Sequence, residues 1–201
     1  MIRVTRVIIM TAEPESTLRL FFALHADGVR KSLRDVHRYL NNFTQKIKTV
    51  SPDHYHITLK FLGETRYDIF EKLRDDFKNT SFEVPPLVFK LKGLGGFPDG
   101  RRAGVIWCGI SGDEAGIGTV YRSIEALTEK HGFKKETRAF YPHFTLARTR
   151  KDERLPPELA HYLAENKDTF YGEVRFSRIV LFRSDLRRDG PVYTALAEMR
   201  L

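Results

Sequence analysis

The chain holds one cysteine, one tryptophan and three methionines among 201 residues. The lone thiol, Cys108, excludes an internal disulfide and a cysteine-built zinc cage; beside Trp107 in an apolar stretch it reads as buried and inert. Long hydrophobic runs are also missing. Those present, such as Val7 to Met10 and Leu20 to Leu24, fall far short of the ~20 apolar residues that cross a bilayer. No secretory leader is expected, because the apolar stretch after Arg3 and Arg6 is short and Glu13, Pro14 and Glu15 follow it. No Ser/Gly linker or low-complexity tract divides the chain. The expectation is a soluble, cytoplasmic protein with no membrane partner, built as one domain or as two small lobes sharing a site.

What the chain does have is apolar mass and positive charge. Hydrophobic residues make up 41% of it, enough to offset the entropy of ordering the backbone. Lys and Arg number 34 against 26 Asp and Glu, a net charge of +8 that attracts anionic partners, nucleic acid foremost. A solvated basic surface accounts for the charge equally well.

Residues 1–17 read as an N-terminal extension, with a turn at Ala12 to Glu15 and Met10 as an alternative start. From Leu18 the sequence repeats itself. LRLFFAL (18–24) reads as a buried strand, and Asp27 caps a helix with Val29, Leu33, Val36, Leu40 and Phe43 on one face. A strand around 54–63, a helix over 67–78 and an alternating strand from Leu87 follow. The second half has the same order. A strand over 104–110 leads to a helix capped by Asp113 and closed by Gly132, then a strand over 143–149 and a helix from Pro156-Pro157. Strands near 173–183 and 191–199 end the chain. The interval from Leu18 to His56 equals that from Val105 to His143. Residues 18–201 are therefore one domain made of a duplicated strand–helix–strand–helix–strand unit. Its halves run over about 18–100 and 101–201, with a glycine-rich crossover near Gly93 to Gly104.

Both halves carry the same short word at the same point, His56-Ile57-Thr58-Leu59 and His143-Phe144-Thr145-Leu146. Alternate residues of a strand share a face, so His56 points with Thr58 and His143 with Thr145. A pseudo-two-fold axis would set the two His/Thr pairs across a cleft. Displacement at phosphorus needs nucleophile and leaving oxygen in line on opposite sides of the atom. Two imidazoles related by a two-fold suit that need: one, neutral, takes a proton from water and the other, protonated, gives one to the departing alkoxide. The threonine hydroxyls bind the non-bridging oxygens, and a strained cyclic phosphodiester needs no metal for this.

With these words the chain resembles the 2H phosphoesterase superfamily, and within it the RNA 2′,3′-cyclic phosphodiesterases, also called 2′–5′ RNA ligases. The resemblance spans about residues 18–200 and rests on LRLFFAL, HITLKFLGE (56–64), GGFPDGRRAGVIW (95–107), YPHFTLAR (141–148) and GPVYTAL (190–196). It implies an α+β fold of two pseudo-symmetric lobes, with antiparallel sheets lining a central cleft and helices outside. It implies hydrolysis of a terminal RNA 2′,3′-cyclic phosphate to a 2′-phosphate, with no cofactor, by a monomer, tRNA fragments being among the candidate substrates. By position His56 matches the proton donor to the 3′ oxygen, His143 the acceptor that activates water, and Thr58 and Thr145 the phosphate-binding hydroxyls. The spacing itself is symmetric and does not choose donor from acceptor.

Other residues carry weaker signals. Arg148 lies an odd number of residues beyond His143, so in an unbroken strand it faces away from the catalytic side, though a strand end can still bring it to RNA. Arg101, Arg102, Arg150, Lys151 and Arg154 sit in or beside loops, where they attract an RNA strand or are simply solvated. Phe61, Phe97, Tyr141 and Tyr193 can stack on bases or pack at a rim. His54 with His56 lacks a third ligand for a metal. GLGGFPDG (93–100) lacks the Lys-Ser/Thr ending of a phosphate-binding loop and reads as the crossover. Two alternatives to the hydrolase stay open: a non-catalytic RNA- or nucleotide-binding module, and reversible 2′–5′ joining of RNA ends by the same residues.

Overall fold

Among the described residues of the computed structural model, alternation of apolar and polar residues builds eight strands, and helical spacing builds five α-helices. The structure describes residues 16–82, 84–100, 103–150, 154–187 and 190–201, with no side chain for Asp27. The expected extension lies almost wholly outside the described residues, as do Met10, Arg101, Arg102 and Lys151. In chain order the elements are β1 (Thr17–Asp27), α1 (Val29–Ser32), α2 (Arg34–Leu40), β2 (Ile47–Thr49), β3 (His56–Arg66), α3 (Tyr67–Lys78) and β4 (Leu87–Phe97). Then come β5 (Val105–Gly112), α4 (Glu114–Lys130), β6 (His143–Thr149), α5 (Pro157–Glu165), β7 (Phe170–Arg187) and β8 (Gly190–Arg200).

Every pairing is antiparallel. The strands follow the order β1-β3-β6-β5-β4-β7-β8, and a β1–β7 pairing closes six of them into a ring, with β2 on β6. Exchanging β1 with β5, β3 with β6 and β4 with β7 maps that ring onto itself, a two-fold relation in the strand order. The halves exchange their third strands. β4 pairs with β5, and β7 pairs with β1, so each half completes the sheet of the other.

Three local expectations are corrected. The helix read from Val29 to Phe43 is split at Leu33, whose ψ of 13° relaxes one turn while the i to i+4 bonds into Leu33 and His37 continue. The split keeps Val29, Leu33, Val36 and Leu40 all buried. Gly28, with φ 89°, takes the N-cap position expected for Asp27. The crossover expected over Gly93 to Gly104 is strand in its first part, since Gly93 to Phe97 complete β4 and Leu94 to Phe97 pair with β5. The glycines are there for close packing: a Cβ on Gly95 would lie 2.3 Å from the Trp107 ring and one on Gly96 2.3 Å from Ala103. Asp113 does cap α4, accepting the Gly116 N–H at 2.8 Å.

One face of the sheet packs into a continuous core that holds Leu20, Phe22, Leu24, Ile57, Phe89, Phe144 and Phe176. Phe22 meets Phe77 of α3 edge-on at 4.9 Å. Phe176, fully buried, stacks on Phe144 at 5.8 Å and meets Phe89 at 5.7 Å, so one ring of β7 joins β4 and β6. Phe176→Ala is expected to cost about 3–5 kcal/mol through the cavity it leaves. Urea denaturation checks this, and Phe176→Leu should recover most of the loss.

Candidate active site

The His/Thr residues lie where the two halves meet. β3 and β6 pair at Ile57–Phe144, and beyond that pair the β6 edge is taken by β2. Ile57 and Phe144 are both fully buried on the core face. Their register sets His56 beside Thr145 and Thr58 beside His143 on the other face. The two histidines are then diagonal neighbours, a relation whose spacing in a regular antiparallel pair is about 7–8 Å.

Each imidazole is held in the same way. His56 Nδ1 is 2.7 Å from the His54 carbonyl oxygen, and His143 Nδ1 is 2.7 Å from the Tyr141 carbonyl oxygen. A carbonyl only accepts, so each Nδ1 carries hydrogen and each neutral ring presents a bare Nε2. Aromatic walls fix the rings. Phe21 lies 5.1 Å from His56, and Tyr193 stands edge-on to it at 5.4 Å. Phe97 stands edge-on to His143 at 5.1 Å, backed by Trp107 at 5.3 Å from Phe97.

Burial pushes the His56 pKa down to about 4; its bond to the His54 carbonyl opposes that shift, and the positive charges of His25, His54 and Arg148 reinforce it. His143 is lowered by the same leading cause, against its bond to the Tyr141 carbonyl and with the charge of Arg148. Both rings are therefore neutral near pH 7.

A matched pair of bulges shapes the rest. In β3 the partner of Phe22 is Lys60 and that of Ala23 is Thr58, leaving Leu59 extra. In β6 the partner of Ile106 is Ala147 and that of Trp107 is Thr145, leaving Leu146 extra. Each bulge reverses the alternation after the threonine. Lys60 and Ala147 turn to the core side, while Phe61 and Arg148 come round to the His/Thr face. The orientation expected for Arg148 from an unbroken strand is thus corrected. Its charge acts on His56, His143 and Tyr193 alike. Phe61, at the matching position, is 66% exposed and 6.0 Å from Phe21. Tyr141 is exposed at the other rim, whereas Phe97 and Tyr193 form walls. Arg102 lies outside the described residues. Sequence reasoning missed the walls Phe21, Phe182 and Trp107; their signal was aromatic residues on the polar parity of apolar strands.

Among the described residues, no three His, Cys, Asp or Glu side chains converge to hold a metal ion, and no helix is long and apolar enough to cross a membrane.

The lowered His56 pKa predicts a pH dependence of folding. Between about 6.5 and about 4 the unfolded His56 binds a proton that the folded one refuses, so stability falls as pH drops through that window. His56→Asn should flatten that part of the curve in urea midpoints measured from pH 7 to 4. Parallel curves for the two proteins would contradict the assignment.

Comparison with known proteins gives one consistent result. The family described as LigT-like phosphoesterase matches residues 24–107 and 112–193. An RNA 2′,3′-cyclic phosphodiesterase of Aeropyrum pernix is 35% identical over 154 residues, 77% of this chain and 86% of that protein. One of Methanothermobacter thermautotrophicus is 30% identical over 185 residues, 92% of this chain and 99% of that protein. Among solved structures, Escherichia coli LigT complexed with 3′-AMP superposes with a TM-score of 0.71 at 21% identity, covering 92% of this chain and 99% of that one. The protein TT0787 of Thermus thermophilus superposes with a TM-score of 0.70 at 26% identity, covering 92% and 98%.

Proposed function

The chain belongs to the LigT-like phosphoesterase family, and from that footing we propose that it hydrolyses RNA 2′,3′-cyclic phosphate ends to 2′-phosphates without a metal. The observation that carries this reading is the pair of His/Thr words set in two-fold register, each imidazole tied through Nδ1 to the carbonyl two residues before it. Relatives that are named for this activity support it.

In this reading the cyclic phosphate sits between the two Nε2 atoms. Thr58 and Thr145 donate their hydroxyls to the non-bridging oxygens, and Arg148 adds positive charge. His143, neutral, takes a proton as water attacks phosphorus. The bond to the 3′ oxygen breaks on the far side, and His56 gives that oxygen its proton. The phosphate remains on the 2′ oxygen, and solvent returns the histidines to their starting forms. His56 begins with too low a pKa to be an acid at neutral pH. The bound phosphodiester anion raises it, because an adjacent opposite charge favours the protonated ring. All of these groups come from one chain, so the reading needs no second copy.

In-line geometry also places the nucleoside. The leaving oxygen belongs to the ribose, so ribose and base lie on the His56 side. Phe61 is the exposed ring there and serves as a platform for the base.

His56→Ala and His143→Ala should each lower turnover of a cyclic-phosphate-ended oligonucleotide by about 10²–10⁴ while the fold survives. EDTA should leave the wild type unaffected, and the product should be the 2′-monoester. A 3′-monoester would reverse donor and acceptor. Binding of the oligonucleotide without turnover would favour a non-catalytic module instead. Phe61→Ala should raise KM by roughly 5- to 150-fold, the worth of about 1–3 kcal/mol of base stacking, with kcat little changed.

A further inference from the structure

Lys60 lies just beyond the β3 bulge and is turned away from the His/Thr face, with 7% of its surface exposed. Its ammonium reaches both carboxylate oxygens of Glu125 on α4 at 2.7 Å and the Lys134 carbonyl at 2.7 Å. Glu125, equally buried, accepts the Glu136 N–H at 3.2 Å. The matching position in the other half is Ala147, so only one half has this pair. A buried ion pair is a poor source of stability, since apolar side chains of similar volume do as well or better in its place. What it does supply is a fixed geometry.

That geometry leads to the active site. Tyr121 and Glu125 lie one turn apart on α4, and Tyr121 stacks on Phe140 at 4.3 Å and 10°. Between them, Glu125 and Tyr121 grip the segment 134–140 near both ends. The next residue, Tyr141, offers the carbonyl that holds His143 Nδ1. The carbonyl that holds His56 comes instead from the short turn Pro52–His54, where Arg30 pairs with Asp53.

We propose that the Lys60–Glu125 pair is a positioning device for His143. It ties the strand that carries His56 to the segment that aims His143, and so sets how the two imidazoles face one another. The kinetic part of this inference rests on the hydrolytic reading above; the structural part does not.

The test is the full-length Lys60→Met/Glu125→Leu double variant, with Glu125→Gln as a milder second variant. The double variant should fold with a urea midpoint no lower than the wild type. Its kcat on the cyclic-phosphate oligonucleotide should fall by up to about 10²-fold with KM little changed, as for a misplacement of about 1 Å. Nitrogen-15 NMR of the histidine rings should show His143 losing its single Nδ1–H form while His56 keeps its own. A folded variant with wild-type kcat and an unchanged His143 spectrum would overturn the proposal, and so would equal changes at both histidines, which signal general loosening. If the double variant fails to fold, Glu125→Gln is judged on the same two readouts. If the wild type itself shows no turnover, the hydrolytic reading fails, and the His143 spectrum alone decides whether the pair positions that ring.

Discussion

One backbone pairing, Ile57 against Phe144, governs the geometry of the site. A strand has a side-chain period of two, so a slip of either strand by one residue would bury its histidine and expose its apolar partner. The complete burial of Ile57 and Phe144 therefore fixes the register, and the register fixes the diagonal of His56 and His143. β2 then takes the β6 edge over Ile47–Thr49, so β3 meets β6 only at the Ile57–Phe144 pair.

Symmetry makes the two imidazoles alike, and their surroundings make them different. Both are tied at Nδ1 to a carbonyl, and both are depressed by burial. At the matched positions beyond the bulges stand Phe61 in one half and Arg148 in the other; one step earlier stand Lys60 and Ala147. A duplicated frame thus offers an apolar platform on one side, a cation on the other, and a buried brace between the halves. Equal histidines suit a reaction whose two proton transfers are mirror images; unequal neighbours suit a substrate that has a base on one end only.

Much of this was legible in the sequence, for definite reasons. The two His-x-Thr words, their equal distance from the strands that open each half, and the Asp113 cap are local patterns with one structural meaning each. The bulges were less open to reading. Their trace is two successive buried residues, Leu59-Lys60 and Leu146-Ala147, but a lysine at the second position hides the signal in one copy. The exchange of β4 and β7 between halves is a long-range pairing that no local pattern encodes. The Gly93–Phe97 run misled because glycine signals a turn by default; only the Trp107 ring on the adjacent strand explains why a strand there needs glycines.

A structure of the protein with a nucleoside–vanadate complex, whose trigonal bipyramid mimics phosphorus during displacement, tests the arrangement most directly. Each apical oxygen should lie about 3 Å from one Nε2, His143 on the water side and His56 on the ribose 3′ side. Both rings on one side of vanadium, or either beyond hydrogen-bond reach of an apical oxygen, would contradict it.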